Sequence, residues 1–131
     1  MLLMMILVVG MTTFAQTKFR ALSWKEAIET AKREGKLVFV DFYTDWCGPC
    51  KVMARDVFPQ KQVGDFFNAK FVCLKLNAEK EGRELAKRFC VSAYPTFIVR
   101  LLSGFWILLC RNGCISLRYP ELRPLYPHRS H

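Results

Sequence analysis

Cys47 and Cys50 are the residues of this chain best suited by type and spacing to do chemistry. They stand in Trp46-Cys47-Gly48-Pro49-Cys50, after the apolar run Leu37-Val38-Phe39-Val40-Asp41-Phe42-Tyr43 and before Lys51-Val52-Met53. That context reads as a strand giving way to a helix. At the first turn of a helix, Cys47 faces unpaired backbone N–H groups and the positive end of the helix dipole, and both favour thiolate over thiol. The thiolate is the nucleophile of disulfide exchange. Cys50 lies one turn further along the same side, placed to attack a mixed disulfide held on Cys47. Pro49 suits an early helical position, because the N–H it lacks would be unpaired there. The expected arrangement has Cys47 exposed and attacking, with Cys50 behind it and resolving.

Two other chemistries use the same residues. A CxxC can be half of a zinc site, for which Cys110 and Cys114 could supply the remaining thiolates. It can also be a structural disulfide in an exported protein. The tryptophan before the first cysteine, the Gly-Pro between the two and the strand-to-helix context favour the redox reading, for which no metal and no cofactor is expected.

The elements that must position this motif are legible from periodicity. Ser23-Trp24-Lys25-Glu26 has the form of a capping box, Trp24, Ala27, Ile28 and Ala31 recur at helical spacing, and Gly35 can end the helix. The run from Leu37 to Tyr43 is apolar on both alternating faces, which marks a central strand covered on both sides. Asp41 interrupts it. A carboxylate desolvated there has a raised pKa and can accept and return a proton, unless it lies near enough to the strand end to reach solvent. After the motif, Cys50, Met53, Ala54 and Val57 share a helical face, and Pro59 ends the pattern after Phe58. Val63, Phe66 and Phe67 predict a short helix, and Phe71-Val72-Cys73-Leu74-Lys75-Leu76 a second buried strand, interrupted by Lys75. Glu79 to Phe89 reads as a helix with Leu85, Ala86 and Phe89 inward, weakened by Gly82. Pro95-Thr96-Phe97-Ile98 opens another strand. Cys73 and Cys90 read as small buried or half-buried hydrophobes.

A chain of 131 residues, 52% hydrophobic and with eleven Phe, bounds the molecule to one domain with a real core and excludes a disordered chain. The net charge of +9 invites a nucleic-acid reading. Against it, the lysines from Lys18 to Lys87 are interleaved with acids and form no basic stripe. A surface that attracts acidic partners is the furthest this charge goes, so no nucleic acid is expected, and the expected state is a monomer. Residues 1–15, MLLMMILVVGMTTFA, form an apolar run followed by small residues, with a candidate cleavage site at Thr13-x-Ala15. They read as a signal peptide without its usual basic start, or as an uncleaved N-terminal anchor, shorter than the about 20 apolar residues of a membrane span. Export, to a periplasm or to a membrane surface facing it, is the expectation.

From roughly Leu22 to Arg100 the sequence resembles the thioredoxin family, by its CGPC motif and by Tyr94-Pro95-Thr96 at the family's distance from it. Val57-Phe58, Phe66-Phe67-Asn68 and Phe71-Val72 are closer to exported thioredoxin-like proteins, including the C-terminal domains of membrane thiol–disulfide interchange proteins. The resemblance implies an α/β, thioredoxin-like fold, a central mixed sheet flanked by helices with the CxxC at a helix N-terminus. It implies that Asp41, six residues before Cys47, is the family's buried acid, and that Lys75 pairs with it and moderates its pKa. The alternative for Lys75 is a side chain snorkelling from a strand edge. It implies a cis Tyr94–Pro95 bond whose backbone faces the disulfide, with Trp46, Tyr94 and Pro95 forming the substrate-binding surface. Ala54-Arg55-Asp56 lacks the kinking proline that thioredoxins usually carry, which predicts a straighter helix.

By the same resemblance the protein is a protein-disulfide oxidoreductase whose partners are protein thiols and disulfides and a membrane or soluble thiol electron donor. Gly-Pro between the cysteines leans toward reduction. The competing function is a non-catalytic truncated fold, or a metal-holding module of Cys47, Cys50, Cys110 and Cys114. From Leu101 the chain changes character: 101–131 hold no lysine and one acid, Glu121, and Pro120, Pro124 and Pro127 punctuate the end. Phe105 to Cys110 can form a strand after a Ser103-Gly104 turn, but the family's closing helix is not visible. The organisation expected is therefore 1–15 as signal or anchor, 16–100 as the thioredoxin-like domain, and 101–131 as an atypical segment, loosely packed from Ser116 on. A shifted reading frame or a foreign end accounts for that segment best, against a divergent but functional C-terminus.

Overall fold

The parallel pairing of two apolar strands, β1 (Leu37–Tyr43) and β2 (Phe71–Asn77), sets the architecture. The computed structural model describes residues 16–110 and 115–118. Between β1 and β2 the chain makes α2 (Gly48–Val52), a π-helical turn (Met53–Val57) and α3 (Lys61–Lys70). Ahead of β1 stands α1 (Trp24–Glu34), and after β2 come α4 (Arg83–Arg88), β3 (Thr96–Arg100), β4 (Trp106–Cys110) and β5 (Ile115–Arg118). The sheet runs in the order β2-β1-β3-β4-β5, parallel between β1 and β2 and antiparallel elsewhere. Phe19 adds a single parallel bridge to Cys73 on the outer edge of β2. This is the mixed α/β sheet flanked by helices that the sequence predicts.

Local chemistry fixes the ends of α1. The Ser23 hydroxyl accepts the Glu26 N–H, the Glu26 carboxylate accepts the Ser23 N–H, and Gly35 closes the helix in the left-handed region at φ 64°. Because side chains of a strand alternate, β1 builds two cores at once. Val38, Val40 and Phe42 face α1 and α4, packing with Ala27, Ala31, Ala86 and Phe89. Phe39 faces the other way, into a cluster with Cys73, Phe58, Met53, Phe67 and Phe97. Fully burying such side chains stabilises the fold by about 1.5–3 kcal/mol each.

Three expectations change. The helix after the motif does not run on as an α-helix but widens into a π turn, in which the Phe58 N–H reaches the Met53 carbonyl. The interruption that a proline makes elsewhere is made here by the backbone, and it turns Phe58 rather than Val57 into the aromatic core. Second, α4 begins only at Arg83, because residues 78–82 form turns around the end of β2. Third, within the segment expected to be loose, Ile115-Ser116-Leu117-Arg118 forms a strand, β5, whose backbone pairs with β4. The helix expected around Val63, Phe66 and Phe67 is present as α3, where Phe66 is exposed and rests edge-to-face on Phe67 and Phe71. The expected strand after the Ser103-Gly104 turn is present from Trp106, with Gly104 at φ 94°. The N-terminal segment 1–15 and the rest of the tail, 119–131, and with it the expected lack of a closing helix, lie outside the described residues.

Gly82 is required by a close approach. A Cβ at this position would stand 2.8 Å from the Leu76 Cβ and 2.9 Å from the Asn77 carbonyl oxygen, both parts of β2 that cannot swing aside. Gly82→Ala is therefore expected to lower stability by about 1–3 kcal/mol, the usual cost of overpacking. Urea unfolding measures it as a lower midpoint at unchanged slope. A midpoint equal to that of the unsubstituted protein would show that the turn relaxes freely.

Candidate active site

Three chain segments converge at the edge of the sheet where β1 and β2 end and β3 begins. Cys47 is the N-cap of α2. Its own backbone is extended (φ −77°, ψ 106°), and its Sγ accepts the Cys50 N–H at 3.2 Å. Gly48 and Pro49 fill the first turn, where proline costs nothing. Cys47 and Cys50 are joined by a disulfide. Both sulfurs are covered, with Cys47 3% and Cys50 4% exposed. The expected exposure of Cys47 is thus corrected: in the disulfide form its Sγ folds back over the helix start, where it bonds Cys50 and caps its N–H. That N–H is a ready donor for a thiolate on Cys47 when the disulfide opens.

Asp41 lies on the face of β1 that also carries Phe39, the face covered by the π turn that continues the Cys50 helix. It is 2% exposed, and its Oδ1 accepts no hydrogen bond. Burial pushes its carboxyl up from 3.8 to about 6, while the charge of Lys75 draws it back down. Asp41 and Lys75 are direct neighbours in the parallel register. They do not form a salt bridge among the described residues. The Lys75 ammonium instead lies over the Tyr43 ring at 5.0 Å and nearer the edge ring of Phe19 at 5.8 Å, so Lys75 is halfway between the two expected arrangements.

Trp46 is 66% exposed, and its ring meets Tyr94 edge-to-face at 5.9 Å. Tyr94 is half-buried, Pro95 is buried, and the bond between them is cis. Since β3 starts at Thr96 opposite Phe42, this loop stands beside the end of β1, and the Trp46–Tyr94 contact joins it to the cysteine loop. The structure thus carries the Cys47–Cys50 loop and the Tyr94–Pro95 segment to one edge, joined by the Trp46–Tyr94 contact, and sets Asp41 beside Lys75 on β1 and β2.

Sequence reasoning missed the residues that brace this arrangement. Asp45 accepts a hydrogen bond from Asn77 Nδ2 at 3.0 Å and pairs with Lys80 at 2.7 Å, while the Trp46 indole donates to Glu79 at 3.0 Å. The one signal for them was an Asn closing an apolar strand before Ala-Glu-Lys-Glu, a composition that favours a side-chain-bonded turn. Of the other cysteines, Cys73 is buried as expected, and burial pushes its thiol up to about 12. Cys90 is exposed, against expectation, because it takes φ 56° in the turn that closes α4 and so points away from the core. Cys110 ends β4 in register with Thr96, and Cys114 lies outside the described residues, so the four-cysteine metal arrangement has no geometry to describe.

Comparison with known proteins agrees with this geometry. Thioredoxin-T of Drosophila melanogaster is 34% identical over 89 residues, covering 68% of this chain and 53% of that protein. The thiol:disulfide interchange protein DsbD of Pseudomonas fluorescens is 34% identical over 74 residues, covering 55% of this chain and 13% of that protein. The solution structure of a candidate disulphide isomerase from Bacteroides thetaiotaomicron superposes with a TM-score of 0.60 at 48% identity, over 69% of this chain and 75% of that one. The chain spans between about half and two thirds of the length of the Drosophila thioredoxins it matches. Residues 19–100, well over half of the chain, match the profile of the family described as thioredoxin-like, and the chain belongs to that family.

Proposed function

We propose that this protein is a thiol–disulfide oxidoreductase that reduces protein disulfides through Cys47 and Cys50. The observation that carries the reading is the Cys47–Cys50 disulfide at the start of a helix whose Cys50 N–H is donated to the Cys47 sulfur. In the reduced protein the Cys47 thiolate attacks one sulfur of a substrate disulfide. A bond forms between the two sulfurs, the substrate S–S bond breaks, and the second substrate sulfur leaves as a thiolate that takes a proton from solvent. Asp41, held near the middle of its titration by burial, accepts the Cys50 proton. Cys50 then attacks Cys47, restoring the observed disulfide and releasing the first substrate sulfur as a thiolate. Two electrons have passed to the substrate, so a thiol electron donor must return them.

Trp46 and Tyr94 flank the disulfide and offer an apolar surface for the substrate chain, with Pro95 shaping its floor. The likeness to an interchange protein supports a donor of that chemical class, soluble or membrane-held. The apolar residues 1–15 support an exported protein, periplasmic or anchored facing the periplasm. Among the described residues no helix is long and apolar enough to cross a membrane.

Two measurements test the assigned roles. Cys50→Ser is expected to accumulate mixed disulfides with protein substrates, whereas Cys47→Ser should trap none. Equal trapping by both, or by neither, would remove the roles of attacker and resolver. The potential of the pair decides the direction: a value below roughly −200 mV makes it a reductant, and one near about −120 mV an oxidant.

Asp41 makes a separate prediction for the disulfide form. Its folded pKa lies above its unfolded value, so between the two the folded state holds more protons than the unfolded state, and stability falls as pH rises from 3.8 to about 6. The loss is on the order of 2–3 kcal/mol and is complete above that window. Asp41→Asn should flatten this dependence and be the more stable protein at neutral pH, while slowing the resolving step. Urea unfolding at both ends of the window checks it. Parallel pH profiles for the two proteins would show that the Asp41 carboxylate is solvated.

A further inference from the structure

Taking the oxidoreductase reading as its basis, we propose that Asn77 is a positioning residue for the reaction. Through Asp45 it holds the segment that delivers Trp46 and Cys47 to the helix, and so governs access of protein disulfides. Asn77 ends β2 in register with Tyr43, the last residue of β1, and is 1% exposed. All of its polar groups are engaged. Nδ2 donates to Asp45 Oδ1 at 3.0 Å, Oδ1 accepts the Glu79 N–H at 2.9 Å, and the backbone N–H donates to Glu81 Oε1 at 2.7 Å. Its carbonyl accepts the N–H groups of Lys80 and Gly82 at 3.1 and 2.8 Å. The 77–82 turn is wrapped around this one residue, its backbone holding Lys80, Glu81 and Gly82 and its side chain holding Glu79 and Asp45.

From that turn two side chains reach across to the cysteine loop. Lys80 pairs with Asp45, and Glu79 accepts the Trp46 indole N–H. The two residues immediately before Cys47 are thus both gripped from the turn that Asn77 organises. The three grips differ in strength. The Lys80–Asp45 pair is more than half exposed on both sides, where an ion pair contributes little. The Trp46–Glu79 bond is exposed as well. The Asn77–Asp45 bond is partly buried, and breaking it strands a buried amide, which costs more than the bond itself contributes. Asn77 is therefore the member on which the others depend.

The segment from Thr44 to Cys47 belongs to no strand or helix; within it, the Cys47 N–H bonds the Thr44 carbonyl at 3.3 Å. If its brace loosens, Trp46 leaves its place against Tyr94. A small disulfide needs only the Cys47 sulfur. A protein disulfide must also lie against the surface that Trp46 and Tyr94 form together, so the loss should fall on protein substrates.

The experiment compares the full chain with Asn77→Asp, Asn77→Ser and Asp45→Ala, each first shown to be folded at the assay temperature. Asn77→Asp keeps the acceptor for the Glu79 N–H but sets a carboxylate against that of Asp45. Insulin serves as the protein disulfide and an aromatic disulfide reagent as the small one. All three variants are expected to lose about tenfold in kcat/KM on insulin, with a change under about twofold on the small disulfide. The double variant Asn77→Ser, Asp45→Ala should lose no more than the worse single one, because both remove the same contact. Hydrogen exchange of the Trp46 indole N–H should quicken in each. Folded variants that keep both rates and the indole exchange of the unsubstituted protein would overturn the proposal and leave Asn77 as the end of a strand. Should the Asn77 variants fail to fold, Asp45→Ala decides, since it removes the contact from the solvent side. If the unsubstituted protein reduces neither probe, the oxidoreductase reading fails, and the indole exchange still decides the role of Asn77.

Discussion

The parallel pairing of β1 with β2 is the constraint from which the site follows. Parallel strands end at the same edge of a sheet, so the loop after Tyr43 and the turn after Asn77 must emerge side by side. β3 runs antiparallel to β1, so the segment before it, with Pro95, arrives at that edge too. Ala78 and Tyr94 pack against the core behind this edge, while the polar residues of the three segments have no such anchor of their own. They are carried by strands whose apolar faces fix the register, because a slip of one residue would turn Phe39 and Phe42 to the wrong sides. The same register sets Asp41 beside Lys75 and Tyr43 beside Asn77. The apolar core thereby decides the electrostatics of the site without any of its polar groups having to attract one another.

Asp41 shows what that arrangement costs. An unpaired carboxyl oxygen inside a core is unfavourable, and the protein accommodates it by moving the proton equilibrium instead of supplying a partner. Lys75 is close enough to be felt and is occupied over the Tyr43 ring, so it moderates the shift without cancelling it. A full salt bridge would hold the acid permanently ionised and remove its ability to exchange a proton near neutrality. The strain is tolerated because the flanking residues, Val40 and Phe42, are wholly buried in the opposite core.

Much of this was legible in the sequence, for reasons that differ by element. The capping box of α1, the unbroken apolar run of β1 and the CxxC at its end are local signals, and local signals survive folding. The acid in β1 was visible as a break in pattern. The π turn was not, because Met53 to Val57 is a sequence any α-helix accepts, and only the demand of the Phe39 cluster for Phe58 selects the wider turn. Cys90 was misplaced because an apolar residue after a helix reads as core, and nothing in its type announces a left-handed turn. β5 escaped because the strand is four residues long in a stretch of unusual composition, where a partner strand outweighs local preference. Asp45, Asn77 and Glu79 were invisible as a set. Each is an ordinary surface or turn residue until the parallel register brings the two loops together.

Opening the disulfide changes the charge balance of this edge. In the exchange proposed above, a thiolate on Cys47 would keep the Cys50 N–H as its donor, the bond that its sulfur already accepts in the disulfide form. Substrate attack at Cys47 would leave the Cys50 thiol with a proton to lose, and the proposed resolving step needs an acceptor for it. Asp41, its carboxyl pushed up to about 6 by burial, is suited to hold or take a proton near neutrality. The burial that is unfavourable for the fold is thus what suits this acid to the proposed proton transfer.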